Sequence, residues 1–210
     1  MSGFDTWGAP KRPLSQTEKP AEKADLKSVS GGGQVSQDEG QVWFYKDVSQ
    51  SSIAELVLGL HKAGQDRQVK AIQFSLGDPP PLHLHIHSYG GSVFAGFAAA
   101  DAVRRCSVPV HTHIEGGAAS AATLFSVMGK HRTIGANSFI LIHQLSNAFW
   151  GKYEEFKDEM KNNDALMEQI RAIYEQRTKL TRTKLDEILK RDLWFNAKQA
   201  LKAGLVDEIL

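Results

Sequence analysis

The chain has little of what marks several large functional classes. Its 210 residues include a single cysteine, Cys106. No internal disulfide framework can form, and a reducing compartment is expected. Cys106 falls between a helical and a strand-like pattern and reads as a small buried filler rather than a reactive thiol. Charge is almost balanced: 25 Lys and Arg against 24 Asp and Glu, formally +1. Nothing in that balance draws the chain to nucleic acid or to an anionic membrane. No apolar run approaches the roughly 20 residues of a membrane span. Met1 to Trp7 lack the basic start and apolar stretch of a signal peptide, so the expected location is the cytoplasm. Cys clusters, a His-Glu-x-x-His pattern and a phosphate-binding loop are all missing, so neither a metal nor a cofactor is expected.

What is present suits an ordinary globular protein, 41% apolar and 23% charged, with enough chain for one sizeable core. Residues 1–40 read as a tail, disordered or removed on maturation. Pro10, Pro13 and Pro20 interrupt it, Gly31-Gly32-Gly33 loosens it, and few apolar residues occur to bury. Residues 41–210 read as the folded domain. It opens with the β-rich Val42-Trp43-Phe44-Tyr45. A helix capped within Ser49 to Ser52 follows, with Ile53, Leu56, Val57 and Leu60 on one face. Val69 to Phe74 suggests a short strand. Leu82 to His87 alternates strictly, predicting one aliphatic and one histidine face. Three histidines spaced 6 to 7 Å apart on a strand are a weak metal signal, and a packed or partly solvated face fits them better.

Strands then alternate with helices, the pattern of a parallel α/β sheet. Ser88-Tyr89-Gly90-Gly91-Ser92 is a tight turn before the helix Val93 to Arg105. Val108 to Ile114 is a strand before the helix Ala121 to Met128, and Asn137 to Gln144 is a strand carrying His143. In the helix Lys152 to Lys179, Phe156, Met160, Met167, Ile170 and Tyr174 keep a 4-3 spacing. That narrow stripe, on a helix about 40 Å long, packs either on its own domain or on a second copy of the chain. Thr183 with Asp186, and Asn196 with Gln199, suggest capping boxes for two more helices, the second stopping at Gly204 before a closing strand, Leu205 to Leu210.

The chemistry centres on Gly116-Gly117-Ala118-Ala119-Ser120-Ala121-Ala122. Small residues surround one hydroxyl at a strand-to-helix junction, where unpaired amides can hold a developing oxyanion. Close helix packing with Ser120 as N-cap is the plainer alternative. As a nucleophile Ser120 needs a base and the base an orienting carboxylate. His143 ends the next strand and suits the first role. Several Asp residues, Asp192 among them, suit the second on spacing alone.

Across residues 42–210 the chain resembles the ClpP family of self-compartmentalised serine peptidases. The matching stretches are Ser88-Tyr89-Gly90-Gly91-Ser92-Val93, Gly117 to Ala121, Ile142-His143-Gln144, Arg191-Asp192 and Ala203 to Asp207. The resemblance implies an α/β fold of repeated β-β-α units, shared with crotonases, with a protruding handle helix at about 152–179. It implies Ser120 as nucleophile, His143 as general base and acid, and Asp192 as the residue orienting His143. Gly91 and Ala121 match the oxyanion-hole positions. Stacked seven-membered rings would enclose the sites, act on unfolded polypeptides and receive them from a separate ATP-driven unfoldase.

The chain departs from the family in several places. Tyr89 replaces a usual proline, which is expected to reshape the oxyanion loop, and Ala121 replaces a common methionine. The loop Phe74 to Pro81 is extended. The family's N-terminal helix and pore segment are not recognisable in residues 1–40, and little follows the last strand. These departures suggest a divergent member, for example one that matures viral heads without the usual partner. A catalytically silent ring subunit and a crotonase-like acyl-CoA enzyme are the competing readings.

Overall fold

The computed structural model describes residues 40–210. The expected tail over residues 1–40 lies outside these, apart from Gly40. The domain is an α/β structure built on a mostly parallel sheet, as the alternation of elements predicts. Its centre is β2 (Leu82–Ser88) and β3 (Val110–Ala119), paired in parallel, with β1 (Gln41–Phe44) outside β2. β4 (His131–Ile134) and β7 (Glu208–Ile209) follow on the other side of β3. β3 serves two neighbours in turn. Its residues 111–114 pair with β4, and residues 117–119 pair with β5 (Phe139–Leu141). The change of partner occurs at Gly116, whose φ of +73° is a conformation that glycine adopts without strain. Ser138 Oγ accepts from the Gly116 N–H at 2.8 Å and fixes the bend. β6 (Phe195–Asn196) lies antiparallel to β5.

The alternation of Leu82 to His87 becomes two faces. Leu82, Leu84 and Ile86 are fully buried under α1 (Gln50–Gln73), α2 (Val93–Arg105) and α3 (Ala121–Ser126). Each such side chain contributes about 1.5–3 kcal/mol of burial. On the opposite face the histidines interlock across strands. His83 Nδ1 lies 2.9 Å from His113 Nε2, His113 Nδ1 lies 2.7 Å from Thr133 Oγ1, and His85 is held by Glu115 and Gln41 at 2.7 Å each. Burial lowers the pKa values of His83, His85 and His111 and brings His113 to about 4, with repulsion from Arg67 adding at His83 and from neighbouring histidines at the other three. Among the described residues no group of three or more His, Cys, Asp or Glu side chains is arranged to hold a metal ion.

Several local expectations are corrected. Val69 to Phe74 is not a strand but the end of α1, which runs unbroken from its Ser49–Ser52 capping box. Propagating an existing helix adds a bond per residue, which outweighs the weak β-propensity of Val69 and Ile72. α5 (Arg182–Leu189) is capped by Thr181, not Thr183, because Asp186 is engaged by Arg171 Nε at 2.8 Å. The closing strand shrinks to Glu208–Ile209. α6 (Ala197–Ala203) has the expected Asn196–Gln199 box and ends at Gly204. Cys106 is half-buried, with its thiol pKa raised by burial.

α4 (Tyr153–Arg177) divides the predicted stripe. Ile170 and Tyr174 enter the core, whereas Phe156 and Met160 stay 46% and 60% exposed on the N-terminal half of the helix. The chain between His143 and α4 lies along it, through Leu145 N–H to Met167 Sδ at 3.2 Å and Phe149 edge-on to Phe156.

Candidate active site

Ser120 joins β3 to α3 with φ 54° and ψ −129°, a region that non-glycine residues rarely occupy. It stands at the N-cap position, yet its side chain makes no capping bond. The helix-packing alternative is therefore not what the hydroxyl does. Its oxygen is left for chemistry, and the backbone is held instead: the Ser120 N–H donates to Leu141 O at 2.9 Å. That bond continues the β3–β5 ladder and brings the start of α3 against the strand whose extension carries His143.

Ser120, His143, Gly91 and Ala121 line one cavity of about 60 Å³, closed below by Leu124 and Tyr174. Its lining mixes polar groups, Gln144 and Ser146 among them, with the apolar side chains of Val93 and Ile170. His143 is mostly buried, and its Nδ1 faces Asp192 Oδ1 at 3.3 Å. This is longer than a tight charge-assisted hydrogen bond, and Asp192 is 79% exposed in the single chain. Backbone bonds bring the two together. Gln144 N–H donates to Leu189 O at 2.8 Å, and Arg191 N–H to Ile188 O at 2.9 Å, so the end of α5 turns Asp192 back toward His143. α5 is tied to α4 by Arg182, which reaches Glu168 at 2.5 and 2.6 Å and Glu175 at 2.9 Å.

The glycine turn is seated by the chain just before α1. Val48 N–H donates to Gly90 O and Ser92 N–H to Val48 O, both at 2.7 Å, a parallel bridge opposite Gly91. In such a bridge the amide of the central residue points away from its partner strand, so the Gly91 N–H is not consumed by Val48. Gly91 must be glycine here: a Cβ would lie 2.2 Å from Val48 O. Ala121 N is the first amide of α3, where helical donors have no intrahelical acceptor. Tyr89, in place of proline, does not dislodge this seat. Its ring lies at the surface, edge-on to His87 at 5.6 Å and Trp194 at 6.3 Å.

The structure thus brings together the side chains predicted for nucleophile, base and carboxylate, and the two predicted backbone donors. Sequence reasoning missed Val48, which seats the turn, and Thr123 and Tyr174 beneath Ser120. The donor–acceptor pairings of these residues span distant parts of the chain and leave no local signal. Chemically, an uncommitted hydroxyl, an imidazole backed by a carboxylate and free amides suit nucleophilic attack on a carbonyl.

A family model described as Clp protease matches residues 45–210. The ATP-dependent Clp protease proteolytic subunit 2 of Treponema denticola is 33% identical over 137 residues, covering 64% of this chain and 68% of that protein. The ATP-dependent Clp protease proteolytic subunit of Deinococcus radiodurans is 32% identical over 131 residues, 61% of this chain and 64% of its own length. Proteolytic subunit 1 of Chlamydia muridarum is 28% identical over 182 residues, 82% and 87% of the two chains.

Proposed function

The chain belongs to the Clp protease family and is a Clp-type peptidase, and from that premise we propose that it cleaves unfolded polypeptides through Ser120, His143 and Asp192 inside a ring-shaped assembly. One observation carries the proposal. An unengaged Ser120 hydroxyl on a strained turn shares a cavity with His143, whose Nδ1 faces the Asp192 carboxylate at 3.3 Å.

With Nδ1 turned to Asp192, the other ring nitrogen of His143 takes the proton from Ser120 Oγ as that oxygen bonds to the peptide carbonyl carbon. The carbonyl oxygen, now negative, is met by the Gly91 and Ala121 N–H groups. The C–N bond breaks as His143 passes its proton to the departing amine. Water then attacks the acyl-enzyme and gives a proton to His143; the acyl–Oγ bond breaks as His143 returns that proton to Ser120 Oγ, and the acid is released. Asp192 fixes the imidazole and offsets its charge while it holds the proton.

The assembly reading rests on α4, whose exposed Phe156 and Met160 supply an apolar stripe for a second copy of the chain. The relatives are named as subunits and as ATP-dependent. This sequence has no phosphate-binding loop, so in this reading a separate unfoldase supplies the ATP hydrolysis. The test is turnover of an unfolded polypeptide and of short fluorogenic peptides. Ser120→Ala and His143→Ala are each expected to lose about 10⁴ to 10⁶ in kcat. Turnover retained by either variant contradicts the assignment.

A further inference from the structure

The strained backbone at Ser120 is held at its carbonyl by a side-chain bond added to the backbone one, the i to i−3 hydroxyl bond that a helical threonine can make. Ser120 O accepts twice from the same residue: the Thr123 N–H at 2.9 Å, which any first turn provides, and the Thr123 Oγ1 hydroxyl at 2.6 Å. A threonine hydroxyl has one hydrogen. Directed at Ser120 O, it leaves only lone pairs for Tyr174, whose hydroxyl lies 2.6 Å away on the other side. Tyr174 therefore donates, and the chain of bonds runs in one direction: Tyr174 OH to Thr123 Oγ1 to Ser120 O. Thr123 is 0% and Tyr174 1% exposed, so no solvent competes for either bond. Burial also raises the phenol's pKa, which keeps it a donor at working pH. Tyr174 sits on α4, 51 residues from Thr123.

We propose that Tyr174 and Thr123 are positioning residues for the nucleophile, a hydroxyl relay that fixes the Ser120 carbonyl and with it the direction of Oγ. This rests on the reading of Ser120 as the nucleophile. A purely architectural role fits poorly. A buried hydrogen-bonded pair adds little stability over apolar side chains of the same shape, and valine and phenylalanine would fill the same space. Mispositioning of a reacting atom by about 1 Å, in contrast, costs on the order of 10²-fold in rate.

That asymmetry provides the test. In the full-length protein, Thr123→Val/Tyr174→Phe removes both partners without leaving either unpaired. It is expected to melt within a few degrees of the parent, yet to react with a fluorophosphonate at Ser120 at least tenfold more slowly. For peptide substrates, kcat is expected to fall by a similar factor with KM within about twofold. Tyr174→Phe alone should show an intermediate loss, and Thr123→Ser, which keeps the hydroxyl, should return to within about twofold of the parent. A folded double variant labelled as fast as the parent overturns the relay. So does a KM rise with kcat unchanged, or a Thr123→Ser variant as slow as Thr123→Val. If the parent itself is not labelled at Ser120, the nucleophile assignment falls and the relay with it. If parent and variants are labelled alike, only the relay falls.

Discussion

Gly90→Ala tests how tightly the glycine turn and the nucleophile are packed together. Gly90 has φ +99°, and a Cβ there would lie 2.6 Å from Ser120 Cβ, 2.8 Å from Ala119 O and 3.1 Å from Ala121 N. None of these is the free end of a flexible side chain, so relief requires moving backbone. The strained φ costs about 1–3 kcal/mol, and forcing a methyl into a filled space costs about 1–3 kcal/mol more. A total of roughly 2–6 kcal/mol lies within the ordinary stability range of a domain. The variant should fold, with Tm lowered by about 4–24 °C at the 2–4 °C per kcal/mol typical of this size. Because the overlap is with Ser120 itself, either Oγ or the Gly91 amide must shift by about 1 Å, and peptide turnover should fall about 100-fold. Gly77→Ala is the control. It carries the same kind of strain, φ +75°, but its Cβ would meet nothing within 4 Å. It should lose a little stability and no activity. Turnover by folded Gly90→Ala within threefold of the parent, or equal damage from Gly77→Ala, would refute the reasoning.

Three further outcomes follow from the same geometry. The histidine face should make the fold acid-sensitive. His83, His85, His111 and His113 are held neutral with lowered pKa values, His113 at about 4, so the unfolded chain binds more protons between about pH 6.5 and 4. Stability is fully present above pH 6.5 and declines as pH falls toward 4, opposed in part by Glu115, whose pKa burial raises. Melting curves from pH 7.5 to 4.5 should show Tm dropping, less steeply in His113→Gln, and a flat or rising Tm disproves the account. Asp192→Asn should slow turnover by about 10² to 10⁴, less than loss of Ser120; a loss under threefold removes Asp192 from the mechanism. Phe156→Asp/Met160→Asp, on the exposed half of α4, should leave a folded chain of lower assembly mass by light scattering. An unchanged mass removes this stripe from the interface.

The fold was legible where physics is local. Ser49 with Ser52, Asn196 with Gln199 and Gly204 mark helix ends by side-chain bonds a few residues apart. The period-2 pattern of Leu82 to His87 sorted itself into two faces. It failed where one local signal competed with another. Val69 and Ile72 resemble a strand until the helix already running from Gln50 is taken into account. Thr181 and Thr183 both offer a cap, and the choice between them falls with Arg171, which engages Asp186. The α4 stripe has one periodicity but two environments, and nothing in the spacing says where core ends and open surface begins. At the site, small-residue crowding and strand position raise Ser120 and His143 as candidates beside plain packing roles. Asp192 could not be chosen among the acids without the resemblance, because its place depends on the Gln144–Leu189 bond between distant segments. The Thr123–Tyr174 pairing is hidden for the same reason.

In the proposed mechanism Ser120 carries the reactive oxygen. Incubating the intact protein with a fluorophosphonate, digesting it and locating the adduct by tandem mass spectrometry tests that claim most directly. One adduct per chain is expected, on Ser120, absent from Ser120→Ala and strongly slowed in His143→Ala. No adduct, or one on a different side chain that persists in Ser120→Ala, would contradict it.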